Sequence, residues 1–190
     1  MTKFYEITNK IEANPNVKEF IKFDVKPGIA IDLGCGAGRD TALLIKNNWK
    51  VIAIDKKDIS EYIKEKLTKE ELSRLKVIKS ELETVKLEKN NLIVANNSLS
   101  FCSKKLFNNM WKNIVESIEC NGYFLGTFFG EKDTWASYKK KMKFFKKQEV
   151  FDLFKDFNIL EFEEIELDNK SVLGEYKHWH IYAVIAQKVI

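Results

Sequence analysis

Short continuous apolar runs alternate along this chain with stretches whose apolar positions recur at helical spacing. The first segment, Phe4 to Phe23, reads as one or two amphipathic helices broken near Asn14-Pro15, and Lys26-Pro27-Gly28 marks a turn. Strands are predicted at Ile29–Leu33, Lys50–Asp55, Leu75–Lys79, Asn91–Asn96 and Tyr123–Phe129. Between them the pattern gives helices through RDTALLIKNN, after a cap at Asp58 or Ser60, and from about Lys104 to Glu119. In the last of these Phe107, Met110, Trp111, Ile114, Val115 and Ile118 share the core-facing side. A further helix near KQEVFDLFKDF leads into ILEFEEIEL and HWHIYAVIAQKV. These two strands flank a turn around Asp168-Asn169-Lys170 and read as an antiparallel closing pair.

Such alternation, closed by a hairpin, is the pattern of a doubly wound α/β protein. It predicts a Rossmann-like sheet of seven strands with the last strand antiparallel. Ligands of such sheets bind beyond the carboxyl ends of the parallel strands. That rule gathers the loops after Leu33, Asp55, Lys79, Asn96 and Phe129 on one edge, with the start of the last strand near His178. No repeat or low-complexity linker divides the chain, so residues 1–190 are expected to form a single domain.

Composition removes several function classes. Of 190 residues 45% are apolar and 32% charged, as in an ordinary globular protein. The net charge of +4 is mild and carried by lysine, with arginine only at positions 39 and 74, so a dedicated nucleic-acid binder is not expected. The basic-aromatic run Lys139 to Lys147 reads as a solvated face. Cys35, Cys102 and Cys120 are odd in number and scattered, which argues against a disulfide framework or a zinc site and suits a reducing compartment. No leader or membrane span is seen, so a cytoplasmic protein, monomeric or homodimeric, without a metal, is expected.

The candidate chemistry sits in AIDLGCGAGRDT, Ala30 to Thr41. Gly34, Gly36 and Gly38 allow a ligand to press against the backbone at the start of a helix. Arg39 stands where the dinucleotide fingerprint needs its third glycine, and no GK[ST] follows as a P-loop requires. What remains is DxGxGxG with Asp32 at the strand end. Here the sequence resembles the class I S-adenosylmethionine-dependent methyltransferases, from Gly28 onward. The resemblance implies S-adenosylmethionine as cofactor. Asp55, with Lys56 beside it, would accept the ribose hydroxyls. In SELETV, Glu81 would accept from the adenine amine and Leu82 would pack on the ring, with Glu83 as the alternative acid. Asp32 would lie near the methionine amino group. Arg39 would face the carboxylate or pair with Asp40 or Glu61. Cys35 is a small loop residue, and ANNSLSF, with Asn96, Asn97 and Ser98, would pass the methionine and the reacting methyl.

The Asn/Asp-Pro-Pro-aromatic motif of nucleobase and glutamine amino-methylating enzymes is missing, as are the metal-binding acids of catechol-type enzymes. GRDTALLIKNNWKVIAID and KHWH resemble the small tellurite-resistance and thiopurine-type subgroup, which implies a small nucleophilic acceptor methylated by direct displacement. An RNA- or protein-modifying enzyme and a catalytically silent binder of the donor are the alternatives. Residues 1–25 would form a helical lid. Tyr5, Ser98, Phe101, Phe129 and Trp135 are candidate walls of the acceptor pocket, with core packing as the competing role. His178 and His180, on one face of the last strand with Trp179 on the other, are candidates for a general base or for packing.

Overall fold

The strands with unbroken apolar runs take the centre of the sheet, because both their faces are covered. In the computed structural model, which describes residues 2–189, β1 (Ile29–Leu33) lies between β2 (Lys50–Asp55) and β4 (Asn90–Ala95), parallel to both. β3 (Leu75–Lys79) is parallel to β2, and β5 (Ile118–Phe129) is parallel to β4. β7 (Tyr176–Lys188) runs antiparallel to β5 and carries β6 (Phe157–Lys170) on its outer side. The seven strands are ordered β3-β2-β1-β4-β5-β7-β6.

Helices cover both faces. On one, α2 (Pro15–Ile21) and α3 (Arg39–Lys46) bury Val17, Phe20, Leu44 and Ile45 against Ala30, Val51, Leu92, Val94 and Leu125. On the other, α6 (Phe107–Ser117) and α7 (Lys147–Leu153) pack over Ile31, Ile93, Phe124, Phe128 and Val184. The short helices α1 (Thr2–Thr8), α4 (Ser60–Lys64) and α5 (Lys69–Leu72) complete the set.

Several boundaries differ from the sequence expectation; Asp168-Asn169-Lys170, read as a turn, ends β6, and the turn follows at residues 171–175. The helix read to Glu119 stops at Ser117, whose hydroxyl donates to the Ile114 carbonyl and accepts the Asn90 amide at 3.0 Å. Ile118 then turns inward and begins β5. The closing hairpin is also longer than its apolar core. β5–β7 pairing ends at Phe129↔Ile181, whereas β6–β7 pairing runs on to Lys170↔Tyr176. The hairpin therefore overhangs the edge where the parallel strands end.

Candidate active site

The glycine turn follows β1 and is pinned to β2. The amides of Gly34 and Cys35 both donate to the Ile54 carbonyl, at 2.8 and 3.0 Å, and that of Gly38 to the Cys35 carbonyl at 2.9 Å. Gly36 donates to Asp55 Oδ2 at 3.0 Å. These amides are spent within the fold, so the turn offers a ligand space more than free donors. The space is over Gly36, at φ +56°, where a Cβ would meet nothing within 4 Å. Gly38, at φ +74°, is needed for a different reason: a Cβ there would lie 2.2 Å from Ile63 Cγ1 of α4.

Asp55 ends β2 nearly buried, and three donors converge on its carboxylate. Besides the Gly36 amide these are the Lys57 amide, 3.0 Å from Oδ1, and the Tyr5 hydroxyl, 2.8 Å from the same oxygen. Tyr5, expected at an acceptor wall, thus lies beneath the end of β2, packed with Phe4, Cys35, Ile59, Tyr62 and Ile63. Burial, then the Asp55 bond, pushes its phenol pKa far up. Burial first, then Asp32 and Asp55, likewise raises the Cys35 thiol, which is inert packing. Lys56 is exposed beside this cluster.

Asp32 lies under the turn, 2% exposed, with the Thr41 hydroxyl 2.6 Å from Oδ2. Burial and then neighbouring Asp40 hold its carboxyl well above the usual carboxylate range. Asp40, which the sequence reading named only as a partner for Arg39, ties this region together. It accepts the Asn14 amide at 2.7 Å and the Asn96 side-chain amide at 2.9 Å, and Asn96 and Asn16 exchange reciprocal side-chain bonds at 2.7 and 2.9 Å. This clasp joins the start of α2, the start of α3 and the end of β4. Arg39 faces away from the turn, donating to the Glu12 carbonyl at 3.3 Å, with Asp40 4.0 Å off.

Beyond β3, Glu81 is exposed and Leu82 half-buried, its Cδ1 close to Gly34. Glu83 is taken by the Ser103 amide at 3.3 Å, which leaves Glu81 as the free acid of that loop. After β4, Asn97 adopts φ +51° and its amide donates to Thr127 Oγ1 at 2.7 Å. Ser98 packs on Gly34, and its buried hydroxyl has no partner among the described residues. A buried orphan hydroxyl carries a desolvation cost that a ligand group can relieve.

Phe101, Phe129 and Trp135 do meet, with ring centroids 5.8–6.4 Å apart, and Trp179 joins them. Phe101 is 53% exposed at the edge, whereas Phe129 and Trp135 are buried. At the centre of this box lies an ion pair that sequence pattern did not reveal. Lys177 and Asp133 bond with both side chains fully buried, and the ammonium sits 3.7 Å from the Trp179 ring and 4.0 Å from that of Trp135. Burial lowers the Lys177 pKa and the Asp133 bond opposes that fall.

The histidines share a face, as period two requires, but neither is free. His180 is 1% exposed; its Nδ1 accepts the Lys132 amide at 3.2 Å and its Nε2 lies 3.0 Å from Glu164 Oε1. An Nδ1 that accepts is unprotonated, so the proton is on Nε2 and is given to Glu164. No lone pair remains for a general base. The same tautomer bars the grouping of Glu164, Glu166 and His180, whose ligand atoms lie within 4.8 Å, from using Nε2 on a metal. His178 sits between Asp168 at 3.0 Å and Glu166 at 3.3 Å, and these carboxylates, Asp168 foremost, raise its pKa. Both rings thus bond across the strand pair to carboxylates of β6.

The family model for the tellurite resistance protein TehB matches residues 1–172. The chain belongs to the TehB family. Solved structures agree on the fold. TehB from Haemophilus influenzae superposes with a TM-score of 0.77 at 20% identity, over 93% of this chain and 62% of that one. The chain thus spans less than two thirds of that relative. The Burkholderia thailandensis 1,6-didemethyltoxoflavin-N1-methyltransferase, with bound 1,6-didemethyltoxoflavin and S-adenosylhomocysteine, gives 0.72 at 16% identity over 93% and 78%. The N-methyltransferase NodS from Bradyrhizobium japonicum WM9, in complex with S-adenosylhomocysteine, gives 0.67 at 11% identity over 99% of each chain. No curated protein matches. This TehB-family member therefore has the class I S-adenosylmethionine-dependent methyltransferase fold. The open space over Gly36, the orphan Ser98 hydroxyl and the carboxylate of Asp55 are features such a donor fits. No helix among the described residues is long and apolar enough to cross a membrane.

Proposed function

We propose that the protein is an S-adenosylmethionine-dependent methyltransferase acting on a small, already nucleophilic acceptor. The observation that carries this reading is the convergence of Asp55, the space over Gly36 and the unpartnered Ser98 at one sheet edge. Asp55 would hold the ribose hydroxyls, Glu81 the adenine amine, Leu82 the ring face, and Ser98 a polar group of the methionine part. When bound, the donor supplies a methyl group already activated on a cationic sulfur, so the chain's task is to position and desolvate. Asp32, whose carboxyl pKa burial raises and whose Oδ2 accepts the Thr41 hydroxyl, supports the turn from below.

On the acceptor side a cleft of about 400 Å³ opens at Asn97 and Thr127 and runs between the start of α2 and the outer sheet face at Ile165 and Ile181. Such a volume suits a small molecule. With the lone pair of His180 spent and His178 held between carboxylates, neither takes a proton from the acceptor. That favours an acceptor that needs no base, such as a thiolate or a chalcogen oxyanion of the tellurite type. Calorimetry with S-adenosylmethionine, followed by measurement of S-adenosylhomocysteine release across thiol, tellurite, amine and hydroxyl acceptors, tests both halves. Donor binding with turnover on the soft acceptors is expected. A folded protein that binds no donor would sink the proposal.

A further inference from the structure

Tyr5 belongs to the donor side of the edge, and its position has a chemical meaning. An ionised carboxylate accepts about four hydrogen bonds. On Asp55, the Gly36 and Lys57 amides come from the turns after β1 and β2 and are fixed by the sheet. The hydroxyl of Tyr5 is the one side-chain donor on Asp55 among the described residues, and it arrives on α1. That helix is short and is anchored by Tyr5, which stacks on Tyr62 at 6.0 Å, and by Phe4, packed on the same cluster. Just beyond its end Lys66 Nζ donates to the Asn9 carbonyl at 2.7 Å and the Asn9 side-chain amide to Glu65 at 3.5 Å. From Asn14 onward the chain is clasped to Asp40 and Asn96. Residues 10–13, which form no helix or strand, separate the two regimes.

We infer that Tyr5 is a further donor-site residue: its hydroxyl holds the place of a ribose hydroxyl on Asp55, and the donor binds by displacing it as α1 swings about residues 10–13. The inference rests on reading Asp55 as the ribose acceptor. A phenol and a ribose hydroxyl donate the same kind of bond to a carboxylate, so the exchange conserves the bonding of Asp55. It also explains why a nearly buried carboxylate is stable without donor, since an unpaired buried charge is costly. The raised phenol pKa keeps Tyr5 a donor across the neutral range.

Calorimetry with S-adenosylhomocysteine on wild type, Tyr5→Phe and Asp55→Ala, each checked for folding by circular dichroism, tests this. Hydrogen exchange of residues 3–9 with and without that ligand completes the set. Tyr5→Phe keeps the ring packing and removes only the competing bond. It should tighten S-adenosylhomocysteine by roughly ten- to a hundredfold, the worth of one hydrogen bond to a charged group. In wild type the amides of α1 should exchange faster once the ligand is bound. Unchanged or weaker binding by Tyr5→Phe, with Asp55→Ala impaired, overturns the displacement alone. Undiminished binding by Asp55→Ala overturns the ribose reading beneath it.

Discussion

Nδ1 of His180 accepts the backbone N–H of Lys132 at 3.2 Å, and that contact decides where the imidazole proton sits. The ring also lies flat against Gly130, where a Cβ would stand 2.1 Å from Nδ1. His180→Ala should therefore cost about 2–4 kcal/mol of stability, from the cavity and the orphaned Lys132 amide. Its pH–rate profile should keep the wild-type inflections. Urea unfolding and a pH profile of turnover measure the two effects, and loss of an inflection near neutrality would restore a base role.

The Lys177–Asp133 pair makes a second prediction. Lys177→Met leaves a fully buried carboxylate without its counter-ion, and should destabilise by about 3–5 kcal/mol. Adding Asp133→Asn removes the stranded charge while retaining an acceptor for the Trp135 amide, 2.9 Å from Asp133 Oδ1. The double variant should recover part of the loss, which a double-mutant cycle by denaturant unfolding would measure. Additive losses would show that the two groups do not interact.

Asp32 gives a pH dependence with a definite sign. Burial and Asp40 raise its folded pKa above the unfolded value, so the folded protein holds the proton more tightly. The stability linked to this proton is complete below the unfolded pKa of about 4 and is lost as pH rises through the folded value. Asp32→Asn, which carries no such proton, should flatten the fall of melting temperature between about pH 4 and about pH 8. A steeper fall in the variant would contradict this assignment.

Gly36 and Gly38 have similar left-handed backbones but different surroundings, so the same substitution should separate them. Gly36→Ala pays only the conformational strain of about 1–2 kcal/mol, because its methyl enters open space. It should nevertheless weaken S-adenosylmethionine binding by more than about tenfold, since that space is the one read as the donor's. Gly38→Ala meets Ile63 as well, and should lose more stability, with Ile63→Ala relieving only the steric part. Thermal melts and calorimetry on the same samples distinguish the two.

Much of the fold was legible because apolar periodicity reports burial directly. Ile29–Leu33 and Asn91–Asn96 could be read as strands from their short apolar runs, and the closing pair from the turn-rich segment between its strands. The place of Asp55 at the end of β2 was legible from the apolar run that precedes it, and the ribose role proposed for it comes from the family resemblance. The partners of such groups were not. Asp40 reads as a helix-start acid, and only the fold brings Asn14 and Asn96 to it across long stretches of chain. Lys177 alternates in the strand like any exposed lysine, and nothing local says that Asp133 and two tryptophans enclose it. Tyr5 was placed with the acceptor wall because aromatic character alone cannot say which side of an edge a helix reaches. His178 and His180 looked chemical as the sole histidines, but nothing local says that the Lys132 amide and the carboxylates of Glu164, Glu166 and Asp168 bond their rings.

The overhanging hairpin also governs how the protein behaves among copies of itself. β6 is the long free edge of the sheet, and such an edge is a template for another chain's backbone. Along it stand Glu161, Glu163, Glu164, Glu166 and Asp168. A second copy approaching edge to edge would bring the same carboxylates against these, and like charges across such an edge oppose pairing. The acidic strand thus disfavours edge-to-edge pairing, and the bonds from Lys147 and Lys132 hold Glu164 and Glu166 ionised further into acid than ordinary carboxylates.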